Sequence, residues 1–177
     1  MNPHGLSPFI ILLFIVYSVQ IIYRTGRVKS METSDFSKAL EIMDERFGHD
    51  ALISIATIDG NIPAVRMVNS YYENGTFYTI TYALSNKMKQ IEANSAVAIC
   101  GEWFTAHGIG ENMGPVCDER NAKIAVKLRE AFKEWYSNGH TDESDPNTCI
   151  LCIHLTDGVL FSHGARYDID FNVMRTL

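Results

Sequence analysis

Apolar and polar residues alternate along most of this chain, and the period of the alternation assigns its elements. In residues 34–47, Phe36, Leu40, Met43 and Phe47 recur at three- and four-residue steps. That is the stripe of an amphipathic helix, and Gly48 ends it. Residues 51–58 form an apolar run that predicts a strand, closed by the turn signal Asp59-Gly60-Asn61. A second strand is predicted over 63–72. Its alternation puts Arg66, Val68 and Ser70 on one face and Val65, Met67 and Asn69 on the other. Asn74-Gly75 is a hairpin signal. It leads into a strand in which Phe77, Thr79 and Thr81 alternate with Tyr78, Ile80 and Tyr82.

The pattern changes period at Ala83-Leu84-Ser85-Asn86, after which Met88 and Ile91 stand one helical turn apart. Residues 96–104 predict a further strand. The glycine-rich run HGIGENMG, 107–114, reads as a loop or a broken strand end, because its spacing misses a phosphate-binding glycine fingerprint. The longest helix is expected over 118–136, burying Ile124, Leu128, Ala131, Phe132 and Trp135 as core or dimer contact. The polar run 140–147 predicts a surface loop. Strands over 149–156 and 159–163 are expected to meet in a hairpin at Asp157-Gly158. The segment ARYDIDF fits no single pattern. Short strands joined by tight turns pair antiparallel, so the sum is a mainly β fold with flanking helices, closed as a small barrel.

Residues 1–30 stand apart. The stretch from Leu6 to Tyr23 is the most hydrophobic of the chain, at the short edge of what crosses a bilayer, and Arg24, Arg27 and Lys29 follow it. That charge placement would keep the remainder cytoplasmic. The expectation is a hydrophobic segment, 1–30, serving as a membrane anchor or reflecting a start placed too far upstream, and a self-sufficient domain, 31–177. Membrane contact is expected only through Leu6 to Tyr23.

Composition narrows the chemistry. Hydrophobic residues make up 46% and charged residues 20% of 177, enough for one domain with a true core. Net charge is −6 and no long basic run occurs, which argues against nucleic acid. Four cysteines are too few for a disulfide framework. Cys149 and Cys152 have metal-pair spacing, but three residues apart on a strand they face opposite ways, so core thiols and no metal are expected.

The strand-to-helix junction carries the sharpest signal. Ser85 sits at the N-cap position, with Lys87 and Lys89 in the first turn. Cations there oppose the helix dipole, and an anion bound to the free N–H groups and the ammonium groups accounts for them. A short solvated helix is the plainer alternative.

Three sequence patches in order, Arg66-Met67-Val68, Phe77-Tyr78-Thr79 and Ser85-Asn86-Lys87 before a helix ending Ile91-Glu92-Ala93-Asn94, resemble the pyridoxamine 5′-phosphate oxidase-like family. The resemblance covers about 51–103 and implies an FMN-binding, six-stranded antiparallel split β-barrel. It implies that Arg66 and Lys87 hold the FMN phosphate with the Ser85 hydroxyl, Asn86 completing the motif. Val68, Asn69, Thr79 and Thr81 would follow the ribityl chain and ring edge. It also implies a homodimer with FMN at the interface and an oxidoreductase acting on a small molecule. The alternative is a non-catalytic FMN or haem module, for sensing or storage. A third class is a membrane-anchored interaction domain, with the junction merely a barrel corner. The oxidase's C-terminal Arg-x-His has no counterpart, so no substrate pocket and no catalytic residue are assigned. His107 and His163 follow strands and are candidate proton donors or haem ligands, though surface placement is the plainer reading. Trp103 is expected either on the flavin or in the core.

Overall fold

The computed structural model describes residues 33–139 and 141–175; the 1–30 segment lies outside them. Helix α1, Thr33–Phe47, precedes three strands, β1 (Ala51–Asp59), β2 (Ile62–Glu73) and β3 (Thr76–Tyr82). Helix α2 (Asn86–Ala93) leads to β4 (Ala96–Gly101) and β5 (Phe104–Pro115). A 3-10 turn, α3 (Ala122–Ala131) and α4 (Lys133–Tyr136) follow, and β6 (Thr148–Ser162) and β7 (Ala165–Asp170) complete the sheet. No helix among the described residues is long and apolar enough to cross a membrane.

The strands run β3-β2-β1-β4-β5-β6-β7, all antiparallel, and β3 also pairs with β6. That pairing closes six strands into a barrel, as expected, and leaves β7 as an additional strand beside β6. Interior positions follow the period of two. Ile53, Ile55 and Thr57 of β1, Phe77 and Thr79 of β3, and Cys149, Leu151 and Ile153 of β6 are all buried. Helix α1 adds Ala39, Met43 and Phe47 to this core. Phe47 meets Phe77 edge-on at 5.5 Å and Phe104 at 5.8 Å between ring centroids.

Three sequence expectations change. The glycine-rich run is part of the continuous strand β5. Its glycines provide clearance instead of a loop. A Cβ at Gly108 would stand 2.7 Å from the His154 carbonyl oxygen, and one at Gly110 would stand 3.1 Å from Ile91 of α2. Asp157-Gly158 is no hairpin, because β6 runs straight through it. The register passes from His107↔Asp157 to Gly108↔Leu155, leaving Thr156 as a bulge. The real turn is His163-Gly164, where both residues take positive φ (48° and 76°) and β7 begins. The 118–136 helix is broken at Phe132, whose backbone leaves helical geometry (φ −98°, ψ 12°), so α1 is the longest described helix. The stripe of the 118–136 segment is core: Leu128 and Phe132 are fully buried against Ile150, with Tyr71, Tyr78 and Ile80 packed around them on the outer face of the barrel.

The polar loop after α4 is tied back by Glu143. Arg129 donates two hydrogen bonds of 2.7 Å to its carboxylate, and the Tyr136 hydroxyl donates another. The Arg129 bonds, foremost, hold the Glu143 carboxyl down at about 2.

Phe47→Ala should cost about 3–5 kcal/mol in urea unfolding, as for a buried aromatic truncated in a packed core. A loss under about 1 kcal/mol would show that α1 is not part of the core. Glu143 has a depressed folded-state pKa. It therefore stabilises above the ordinary carboxylate range, and that stabilisation fades as pH falls toward 2. The stability gap between the wild type and Glu143→Gln should narrow from pH 5 to pH 2; a constant gap would refute the ion-pair role.

Candidate functional site: a cation pair at the β3–α2 junction

The junction is built by three elements. On β2, Arg66 faces the same side as Val68 and Ser70, as the alternation predicts, opposite Ile55 of β1. Its guanidinium donates to Thr57 Oγ1 of β1 and to Gln90 Oε1 of α2 (2.8 Å). Thr57 and Gln90 are both buried, and the Thr57 hydroxyl donates to the same Gln90 oxygen at 2.6 Å. The nearest carboxylate in this network, Asp59, accepts from the Gln90 amide at 3.2 Å and not from Arg66. The guanidinium is thus fixed in place by neutral oxygens, with burial lowering its pKa.

Lys87 enters from the first turn of α2. Burial, and after it the charge of Arg66, pushes its ammonium pKa down. Neither cation forms an ion pair with a carboxylate among the described residues. Two half-buried like charges without a counter-ion are unfavourable, and an anion between them removes the conflict.

Ser85 occupies the N-cap position in extended geometry (φ −68°, ψ 156°), but its side chain does not cap the helix. Its Oγ is buried and has no hydrogen-bond partner among the described residues. The Met88 and Lys89 N–H groups close on the Ser85 carbonyl (3.1 and 3.2 Å), and no acidic residue lies in the first turn. Asn86 is exposed and begins the helix. An unpartnered hydroxyl, two cations and a helix N-terminus together make a donor set suited to a phosphate.

The other predicted residues divide by face. Val68 packs against the barrel core beyond Arg66, and Thr79 is buried within it, its hydroxyl making only a long 3.4 Å contact to the Ile80 carbonyl. Thr81 pairs with Cys149, whose thiol lies within electrostatic reach of Lys87, so it stands on the site's side of β3. Asn69 points the other way. Its amide donates to Asp50 Oδ1 at 2.8 Å, and Trp135 Nε1 donates to Asp50 Oδ2 at 2.6 Å. It is not brought together with Arg66 and Lys87.

Cys149 and Cys152 lie on opposite faces of β6, and all four cysteines are free thiols. Trp103 is exposed, in a positive-φ turn, and lines a cavity of about 510 Å³ with His163, Arg46 and Phe161. His107 is bound to Asp157 at 2.8 Å on the surface. Sequence reasoning missed Gln90 and Thr57, the two side chains that aim Arg66. Gln90 lies one turn beyond Lys87 in the predicted helix, a spacing that could have marked it.

No protein-family model matches the sequence. No curated protein matches it by sequence either. Solved structures do match. A Clostridium acetobutylicum protein related to general stress protein 26 of B. subtilis, of the pyridoxinephosphate oxidase family, aligns at TM-score 0.56 and 14% identity, covering 81% of this chain and 99% of that one. An FAD-binding protein from Mesorhizobium loti aligns at TM-score 0.51 and 12% identity, covering 72% and 92%. A heme binding protein from Mycobacterium smegmatis aligns at 0.53 and 10%, covering 72% of this chain and 55% of that one. At these identities the likeness defines the architecture: this chain has the split-barrel fold of the pyridoxamine 5′-phosphate oxidase-like structures.

Proposed function

We propose that this chain binds FMN by its phosphate at the Arg66–Ser85–Lys87 junction and works as a flavin-dependent oxidoreductase on a small molecule. The observation that carries the reading is the buried Ser85 hydroxyl without a partner, set at the junction that holds two cations without a counter-ion. A dianionic phosphate would accept from Ser85 Oγ, from the Arg66 guanidinium and from the Lys87 ammonium, the fork and the point charge complementing one another. Thr57 and Gln90 orient the guanidinium, and Val68 and Thr81 lie on the side of their strands along which the ribityl chain would run.

Bound flavin supplies hydride or electron transfer, and the protein supplies position and the electrostatics of the ring. The fold is shared with an FAD-binding and a heme binding protein, which supports a cofactor role for the barrel in general. The phosphate donor set favours flavin mononucleotide over haem.

A homodimer with the flavin at its interface belongs to the same proposal. On the outer face of β1 and β2, Leu52, Val65 and Met67 are each more than half exposed. A second copy covering this apolar face would remove it from water. A cytoplasmic setting is consistent with free thiols on the surface at Cys100 and Cys117.

Arg66→Ala combined with Lys87→Ala should weaken FMN binding by at least about 100-fold, as two charge-assisted contacts are removed, with the circular dichroism spectrum unchanged. Unchanged FMN affinity would refute the site. Bleaching of the bound flavin by NADH under anaerobic conditions is expected for an oxidoreductase; a flavin that no nicotinamide or other reductant bleaches would leave a binding module. Lys87 has a lowered folded-state pKa, so in its charged form it destabilises the unliganded protein, and stability is recovered as pH rises toward the lysine range. Lys87→Met should therefore raise the Tm of the flavin-free protein while weakening FMN binding. A lower Tm would mean that the ammonium is satisfied within the fold.

A further inference from the structure

A second cluster lies on the outer surface of the barrel, on the opposite strand faces from the phosphate junction. Cys152 and His154 are two apart on β6 and so share a face, and Glu111 of β5 stands directly opposite Cys152. Their donor atoms, Cys152 Sγ, His154 Nε2 and a Glu111 carboxylate oxygen, all lie within 4.8 Å of one another. Sγ to Nε2 is 3.5 Å, and Nε2 to Glu111 Oε2 is 3.6 Å. Around a tetrahedral zinc, with bonds of about 2.3 Å to sulfur and about 2.1 Å to nitrogen or oxygen, adjacent donors stand about 3.4–3.6 Å apart. Both separations match that spacing, and the third, from Sγ to the Glu111 carboxylate, is within 4.8 Å.

We propose that Glu111, Cys152 and His154 form a divalent metal site of the zinc class, independent of the flavin site. Three further features support it. The other ring nitrogen of His154, Nδ1, is 3.2 Å from Thr76 Oγ1 on β3, a contact that orients the ring and leaves Nε2 to the ion. The three ligands and Thr76 come from three adjacent strands, held in register by β3–β6 and β5–β6 pairing, so the geometry rests on rigid elements. Cys152 is buried while His154 and Glu111 are open to solvent, which gives the site a floor and an entry path.

A thiolate, an imidazole and a carboxylate suit Zn²⁺ better than Mg²⁺ or Ca²⁺, which prefer all-oxygen shells. On binding, the Cys152 thiol gives its proton to solvent and sulfur bonds the ion as thiolate. Without a cation, burial and then the Glu111 charge raise that thiol's pKa to about 12, so it is protonated at neutral pH.

The test is a titration of the full chain, stripped with a chelator, using Zn²⁺ followed by calorimetry and Co²⁺ followed by its visible spectrum. One Zn²⁺ per chain is expected, with a cobalt spectrum showing thiolate charge transfer and tetrahedral d–d bands. Cys152→Ser and His154→Ala should weaken binding at least about tenfold, since even outer-layer partners of a metal ligand are worth that much. Glu111→Gln changes an exposed side chain that the fold does not need, and it should weaken binding too. Cys117→Ser, at the separate thiol beside Glu143, should leave binding unchanged. Absence of stoichiometric Zn²⁺, or binding unaltered in Glu111→Gln and Cys152→Ser, would overturn the proposal.

Discussion

The closure of β3 onto β6 is the constraint on which the rest depends. It runs from Thr76↔His154 to Tyr82↔Thr148, and without it the sheet would be an open ribbon. Because the side-chain period is two, this one register decides the face of every residue that matters on both strands. It turns Phe77, Thr79, Leu151 and Ile153 into the barrel and Tyr78, Ile80 and Ile150 outward under α3. It delivers the chain to the β3–α2 junction at Tyr82, where the Ala83 N–H bonds to the Asn147 carbonyl at 2.8 Å. The same register sets Thr76 beside His154 on the outer surface. A slip of one residue would take Thr81 from the site's side of β3 and Thr76 from His154 at once.

The barrel supports a local electrostatic conflict where the candidate cofactor site lies. Arg66 and Lys87 destabilise the unliganded fold, and no described carboxylate relieves them. The surrounding structure holds them there nonetheless: Thr57 and Gln90 are buried and direct the guanidinium, and α2 is pinned through Met88 and Ile91 in the core. The barrel supplies the stability and the rim gives some of it up, the pattern of a site pre-organised for an anion. Elsewhere, several charges are matched. Glu143 with Arg129 and Asp118 with Arg120 are locally satisfied, and they secure the α3–α4 insertion and not a ligand.

Much of the fold was legible because alternation reports burial directly. The faces of β2, the Asn74-Gly75 turn, the inward stripe of α1 and the opposite facing of Cys149 and Cys152 all follow from period alone. The glycines misled, because a glycine marks either a bend or a close approach and sequence does not say which. Gly108 and Gly110 make room for a neighbouring strand and for Ile91, and Gly158 makes room for Phe104. The break at Phe132 was hidden because tertiary packing on Trp135, stacked at 4.9 Å, overrides an unbroken helical stripe. At the junction, the residue types Arg, Ser and Lys could be read from sequence, but the absence of counter-charges could not, since it depends on everything nearby. The Glu111–Cys152–His154 cluster needed the β5–β6 register, although Cys-x-His on a strand already put two of its donors on one face.

The phosphate cradle is the central claim, and riboflavin tests it, since it keeps the ring and ribityl chain of FMN and lacks only the phosphate. The full chain would be mixed with either flavin, freed of excess on a sizing column, and its absorbance recorded. Retention of FMN near one per chain with riboflavin lost is the predicted result. Equal retention of both, or of neither, would contradict a site built around the Arg66, Ser85 and Lys87 donors.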